Sequence, residues 1–232
     1  AITHGIVEIC YDYLLLLKQH MGALAVASGK ENRGGNARVT KTKAGKVVDM
    51  EDKNLLKSLS CVMFCLSCCI DGNITAANRL ADLDVIATLD QMWVHYCNNI
   101  VVLNYVVKLL SLMAKVMPAS VKVMINNKSL LSHMLDAALK SVRFSKHPIT
   151  PLKDVLFDFL CVISSSGDAV CQIWKSGFMS NFPKLEKQKS EPEKVGLWLK
   201  LITHGTYTAF GQKMVLTIPN ILDILLESPH KY

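Results

Sequence analysis

The sequence lacks an uninterrupted apolar run long enough to cross a membrane. A spanning helix needs about 20 mostly apolar residues. The two most apolar stretches, 55–70 and 100–117, are interrupted by lysine, serine or asparagine side chains. We therefore predict no membrane span and interpret both stretches as buried helices. Residues 1–5 lack the charged start and cleavage pattern of a signal peptide, so we expect a fragment with no signal peptide in view.

Catalytic sequence motifs are also missing. There is no glycine-rich phosphate loop, no G-x-S-x-G turn, no H-E-x-x-H zinc motif and no H-x-E followed by C-x-x-C. His95 and Cys97 are close in sequence, but residues two apart on a helix point in different directions and make a poor nucleophile–base pair. We predict a non-enzymatic protein that uses no cofactor, no metal and no small-molecule substrate.

The eight cysteines do not require disulfides, because a chain of 232 residues can bury a large core. Reduced thiols and a cytoplasmic location fit this pattern. Cys61, Cys65, Cys68 and Cys69 form a cluster, which a metal or redox site would explain. No matching Cys/His pair follows at the spacing of a structural zinc site. We favour core packing, since free cysteine behaves as a small apolar residue.

Positive charge is concentrated in one segment without helical periodicity. Residues 28–49 carry six basic and two acidic side chains, a net +4 of the formal +7 for the chain. Their four glycines predict a flexible basic loop, to which we assign 28–52. Binding of nucleic acid or an acidic surface through this loop is the alternative function. No nucleic-acid-binding signature accompanies the loop, so we favour a solvated insertion and expect no nucleic acid.

From residue 53 onward the sequence repeats. Each of about four units has a long apolar helix, a polar break, a short helix and a further amphipathic helix. If Ile86, Leu131, Met179 and Leu222 are equivalent, the intervals are 45, 48 and 43 residues. Armadillo and HEAT repeats span about 40 to 47 residues. We predict an all-α chain, 1–232, that forms a single armadillo/HEAT-like α-solenoid domain, with 1–27 as an N-terminal covering helix.

Three segments resemble armadillo repeats: GNITAANRLADLDVIATL, GDAVCQIWKSGFMSNF and TAFGQKMVLTIPNILDIL. Gly177 stands where armadillo repeats often place glycine. The last quarter, with VCQIWKSGFMSNF and LWLKLITHGTYTAFGQKMVLTIPNILDILLE, is similar to the C-terminal region of the rotatin family, large armadillo-like proteins of centrioles and ciliary basal bodies. This resemblance implies a centrosomal scaffold for centriole assembly or elongation that binds another centriolar protein.

Polar side chains recur along the long helices and predict a partner-binding groove. In 100–117 they form one line on an otherwise apolar helix. Stacked helices would join such lines into one extended face. The predicted partner-binding residues are Lys57, Ser60, Phe64, Asn104, Lys108, Ser111, Lys115, Asp154, Asp158 and Lys200. This face suits a helical or extended segment of another protein. Simple solvation of the same residues is the alternative.

Overall fold

The computed structural model describes residues 2–27, 43–143, 152–182, 192–218 and 221. These residues are mostly helical and include no strand, so the predicted all-α class is confirmed. The chain divides into two compact units, Ala1–Leu109 and Leu110–Tyr232. The arrangement of the whole chain as a single solenoid domain stays a prediction.

The first unit begins with two long helices and continues with short ones. Its helices are α1 (Ile2–Ala27), α2 (Lys43–Ile70), α3 (Ile74–Asp82), α4 (Val85–Gln91), α5 (Trp93–Tyr96) and the first part of α6 (Ile100–Val116). The predicted covering helix is therefore present as α1. It packs most extensively on α2 and also contacts α3.

α2 begins earlier than the sequence suggested. Residues 43–52 are helical, so the prediction of a loop over 28–52 is wrong for these ten residues, and 28–42 lie outside the described residues. A single glycine, Gly45, costs a helix only about 1 kcal/mol. Extending a helix that is already nucleated outweighs that cost, because each added residue gains a backbone hydrogen bond.

The second unit contains the rest of α6 and a further series of long and short helices. They are α7 (Ala119–Asn126), α8 (Lys128–Arg143), α9 (Leu152–Ile163), α10 (Gly167–Lys175), the 3₁₀ helix η1 (Phe178–Asn181), α11 (Pro192–Gly205) and α12 (Ala209–Val215). α9 packs against α8 and α11, while α10 contacts α7 and α12.

The short helices α3, α7, α10 and α12 share one buried pattern. Each buries a small residue in its first turn and a larger apolar residue four positions later. The pairs are Ala76 and Leu80, Ser120 and Met124, Ala169 and Ile173, and Gly211 and Val215. The small residues recur at intervals of 44, 49 and 42 positions, close to the predicted repeat length. Each short helix therefore packs against its neighbours through the same kind of narrow buried face.

Local capping sets where two of these short helices begin. The Asn73 side chain accepts a hydrogen bond from the backbone N–H of Ala76 at 3.1 Å, and Thr208 accepts one from Gly211 at 3.0 Å. These bonds satisfy N–H groups that have no partner within the helix. Before α3, Gly72 has a φ of +66°, which a side chain would disfavour. Gly72 therefore ends the turn after α2, and Asn73 caps the start of α3.

Candidate functional site

In the first unit, the predicted binding residues lie around an aromatic pair, of which one side chain is exposed and the other half-buried. Phe64 on α2 leaves 54% of its surface exposed. Its ring meets that of Tyr105 on α6 edge to face, with the centroids 6.1 Å apart and the planes at 75°. The sequence pattern indicated Phe64 but not Tyr105, whose position on an apolar helix gave no sign of a contact 41 residues away.

Two lysines flank this aromatic pair. The Lys108 Nζ lies 6.0 Å from the centroid of the Tyr105 ring, within reach of a cation–π attraction. Lys57 is exposed on α2 two helical turns before Phe64, on the same side of the helix. Neither lysine is paired with a carboxylate within the described part of the chain. We define Lys57, Phe64, Tyr105 and Lys108 as the α2/α6 surface, which is apolar at its centre and positively charged beside it.

The other predicted residues of this region contribute less. Ser60 is half-buried, and its hydroxyl donates to the Leu56 carbonyl oxygen at 3.0 Å on its own helix. Asn104 is also half-buried. Its Oδ1 is shielded from solvent and has no hydrogen-bond partner among the described residues. Both side chains therefore lie at the border of the α2/α6 surface and offer little area to a partner.

Ser111 does not lie on an open surface. Only 8% of it is exposed, so its predicted role in partner binding is wrong. The reason is its angular position on α6, since Val107 and Ala114, one turn before and after it, are both buried. Lys115, in contrast, is exposed as predicted.

In the second unit, Asp158 of α9 and Lys200 of α11 pair with each other. The Lys200 Nζ donates to Asp158 Oδ1 at 2.6 Å, and both side chains are about half exposed. The hydrogen bond from Lys200 to Asp158 is also the main reason that the pKa of this lysine is raised. A half-exposed ion pair adds little stability, but it leaves neither charge free for a partner. Asp154 is exposed and keeps its carboxylate accessible.

Below this pair, Cys161 makes the second unit sensitive to alkaline pH. Burial raises the pKa of this thiol from 9.0 to about 12. As the pH rises, this thiol therefore loses its proton in the unfolded chain before it does so in the folded chain. Its full contribution to the free energy of unfolding is present only below pH 9. Between pH 9 and about 12 we expect the free energy of unfolding to fall by about 1 kcal/mol per pH unit from this group.

Urea denaturation at a series of pH values would measure this loss. Cys161→Ala removes the thiol, so its free energy of unfolding should decline less steeply above pH 9 than that of the unsubstituted chain. Equal slopes for the two proteins would show that Cys161 does not stay protonated in the fold.

The cysteine cluster of α2 faces outward. Cys61, Cys65 and Cys68 are exposed and Cys69 is half-buried, so core packing is the wrong interpretation for the first three. The core face of α2 consists of other residues, namely Leu59, Val62, Met63, Leu66 and Ile70. Among the described residues, no group of three His, Cys, Asp or Glu side chains is arranged to hold a metal ion.

One described helical segment, Lys53–Ile70, is long and apolar enough to cross a membrane, with a mean hydropathy of 1.4 over its 18 residues. Contrary to the expectation from the sequence, the interruptions in this stretch therefore do not exclude a span. Core helices of globular proteins also reach such values, but they are mostly buried, whereas only 28% of this segment is buried here. The absence of a membrane span stays a prediction.

A shallow polar cavity of about 200 Å³ lies between α7 and α10. Lysine, aspartate, glutamine and asparagine side chains line it, together with Ile125 and Cys171. It carries charges of both signs, so its electrostatics do not favour a strongly charged ligand.

Comparison with known proteins indicates a distant relationship to Rotatin of Mus musculus. The two sequences are 32% identical over 82 residues, a match that covers 34% of this chain and 4% of the mouse protein. No protein-family model matches the sequence. No solved structure matches the chain.

Proposed function

We propose that this chain is a non-enzymatic protein-binding module with an armadillo/HEAT-like solenoid architecture, and that it acts within a larger scaffold. The recurring buried pair in α3, α7, α10 and α12 supports the repeat architecture. Repeats of this kind stabilise one another by stacking and leave extended surfaces open to other proteins. The distant relationship to mouse Rotatin and the resemblance of the last quarter to the rotatin family support a role in centriole or basal-body assembly.

The α2/α6 surface supports protein binding most directly. Phe64 presents exposed aromatic area beside the half-buried Tyr105, and aromatic side chains are typical of the energetically dominant residues of an interface. Lys57 and Lys108 add positive charge that is not neutralised by carboxylates of the described chain. An amphipathic helix or extended segment with apolar side chains at its centre and acidic residues beside them would match this surface. We propose such a segment of a centriolar protein as the partner.

Charge reversal tests this proposal. The double variant Lys57→Glu/Lys108→Glu should recover at least about tenfold less of its partners from a centrosome-enriched extract, because two attractive contacts become repulsive. Phe64→Ala should also reduce recovery, through lost apolar contact. Quantitative mass spectrometry of the captured proteins would provide the measurement.

The matched control is Lys122→Glu/Lys128→Glu, which changes the net charge equally at two exposed lysines of α7 and α8. It should retain full recovery. Circular dichroism would establish that all variants are folded. Equal loss in the control would show that net charge alone governs recovery. A loss seen only after removal of residues 30–41 would instead favour binding through the basic segment.

A further inference from the structure

The contacts of α1 orient one of its cysteines toward α2. Glu8 pairs with Arg79 of α3 at 2.6 Å, and the Tyr11 hydroxyl lies 3.1 Å from Thr88 Oγ1 of α4. Successive helical residues are about 100° apart, so Cys10 lies about 200° around the helix from Glu8. The side of α1 that carries Cys10 is therefore turned away from α3 and toward α2, its most extensive neighbour.

α2 presents two cysteines to this side of α1. Cys65 and Cys69 are one helical turn apart, so they lie on the same side of α2. Cys65 is exposed, while Cys69 and Cys10 are half-buried. Burial is the main reason that the pKa of Cys10 is raised, and charges on Cys65 and then Cys69 raise it further. A charge acts strongly only over a short distance, so both α2 thiols lie near Cys10, in agreement with the packing of α1 on α2.

We propose that Cys10 and Cys65 form a reversible disulfide that joins α1 to α2 when the protein meets an oxidant such as glutathione disulfide. Cys65 is the better first nucleophile, because it is exposed to solvent. Its thiolate attacks glutathione disulfide and forms a mixed disulfide, which releases one glutathione thiolate. The Cys10 thiolate then attacks the Cys65 sulfur and releases the second glutathione. Two protein thiols are oxidised, and one glutathione disulfide is reduced to two glutathiones.

This bond would prevent α1 from separating from α2. A disulfide between these positions would enclose a long loop of chain that includes the basic segment. It would therefore also lower the conformational entropy of the unfolded chain. The raised pKa of Cys10 keeps its thiol protonated at neutral pH, so the second step should accelerate as the pH increases.

The test is oxidation of the full reduced chain with glutathione disulfide at mildly alkaline pH. Peptide mass spectrometry without reduction should find a Cys10–Cys65 linkage and the loss of two of the eight free thiols to it. The oxidised protein should melt about 5–10 °C higher than the reduced protein, and a reductant should reverse the shift. Cys10→Ser should instead accumulate a mixed glutathione disulfide on Cys65.

Two further variants serve as controls for the linkage. Cys65→Ser changes an exposed residue and should abolish the linkage even if Cys10→Ser disturbs packing, whereas Cys97→Ser, at the end of α5, should leave the linkage intact. Stable glutathione on Cys65 of the unsubstituted chain, a linkage of Cys10 to Cys69, or a bond between two chains would overturn the proposal.

Discussion

Trp198→Ala is expected to lower the free energy of unfolding of the second unit by about 3–5 kcal/mol. Trp198 of α11 is fully buried. Its ring centroid lies 5.4 Å from that of Phe157, 4.8 Å from that of Phe178 and 6.2 Å from that of Phe182. These aromatic side chains come from α9 and from the contiguous stretch 178–182, so Trp198 joins both segments to its own helix. Its removal leaves a cavity that rigid rings cannot fill by moving closer.

Urea denaturation followed by circular dichroism would measure this loss. Tyr207→Ala is the control within the same unit, because Tyr207 is 76% exposed and its truncation should change the free energy of unfolding by no more than about 0.5 kcal/mol. If the two variants were equally stable, Trp198 would not be the centre of this core.

Gly211→Ala should destabilise the second unit by about 3 kcal/mol. A Cβ atom at this position would lie 1.9 Å from the carbonyl oxygen of Gly205 and 2.6 Å from its carbonyl carbon. Both are backbone atoms at the end of α11, so no rotation of a side chain relieves the overlap. α12 would have to move away from α11, and this movement would disturb the Thr208 cap, which receives the Gly211 N–H at 3.0 Å.

Gly196→Ala provides a control of opposite sign. Gly196 lies within α11, and a Cβ atom there would have no neighbour within 4 Å. Alanine favours the helix over glycine by about 1 kcal/mol, so this variant should be slightly stabilised. The two glycine-to-alanine substitutions are therefore expected to shift the melting temperature in opposite directions. A stable Gly211→Ala protein would mean that α11 and α12 do not approach so closely.

The outward position of the α2 cysteines shows that a sequence pattern does not always identify the buried face of a helix. The second half of α2 has apolar residues or cysteines on nearly every side, so its periodicity does not reveal which face is buried. Leu66 and Cys65 are adjacent and both uncharged, yet Leu66 is buried and Cys65 is exposed. The packing of α1 and α3 against α2 determines which of these two side chains is buried. That packing depends on side chains far away in sequence.

The predicted binding residues illustrate the same limit. A polar stripe marks residues that face one direction, but it does not reveal which of them a neighbouring helix covers or neutralises. Asp158 and Lys200 are 42 residues apart and form an ion pair, whereas Ser111 is buried beside its own helical neighbours. Of the ten predicted residues, Phe64 and Lys108 gained significance only through Tyr105, which the sequence pattern did not single out.

By itself, the sequence determined the helical class and breaks such as Gly72–Asn73. These properties depend on residues within one or two helical turns, where capping, glycine conformation and apolar spacing act directly. Only the tertiary structure decided which cysteines are exposed, which charges are paired and which aromatic side chains meet. Those outcomes depend on contacts between helices tens of residues apart, and helices with the same apolar pattern can pack in several rotations about their axes.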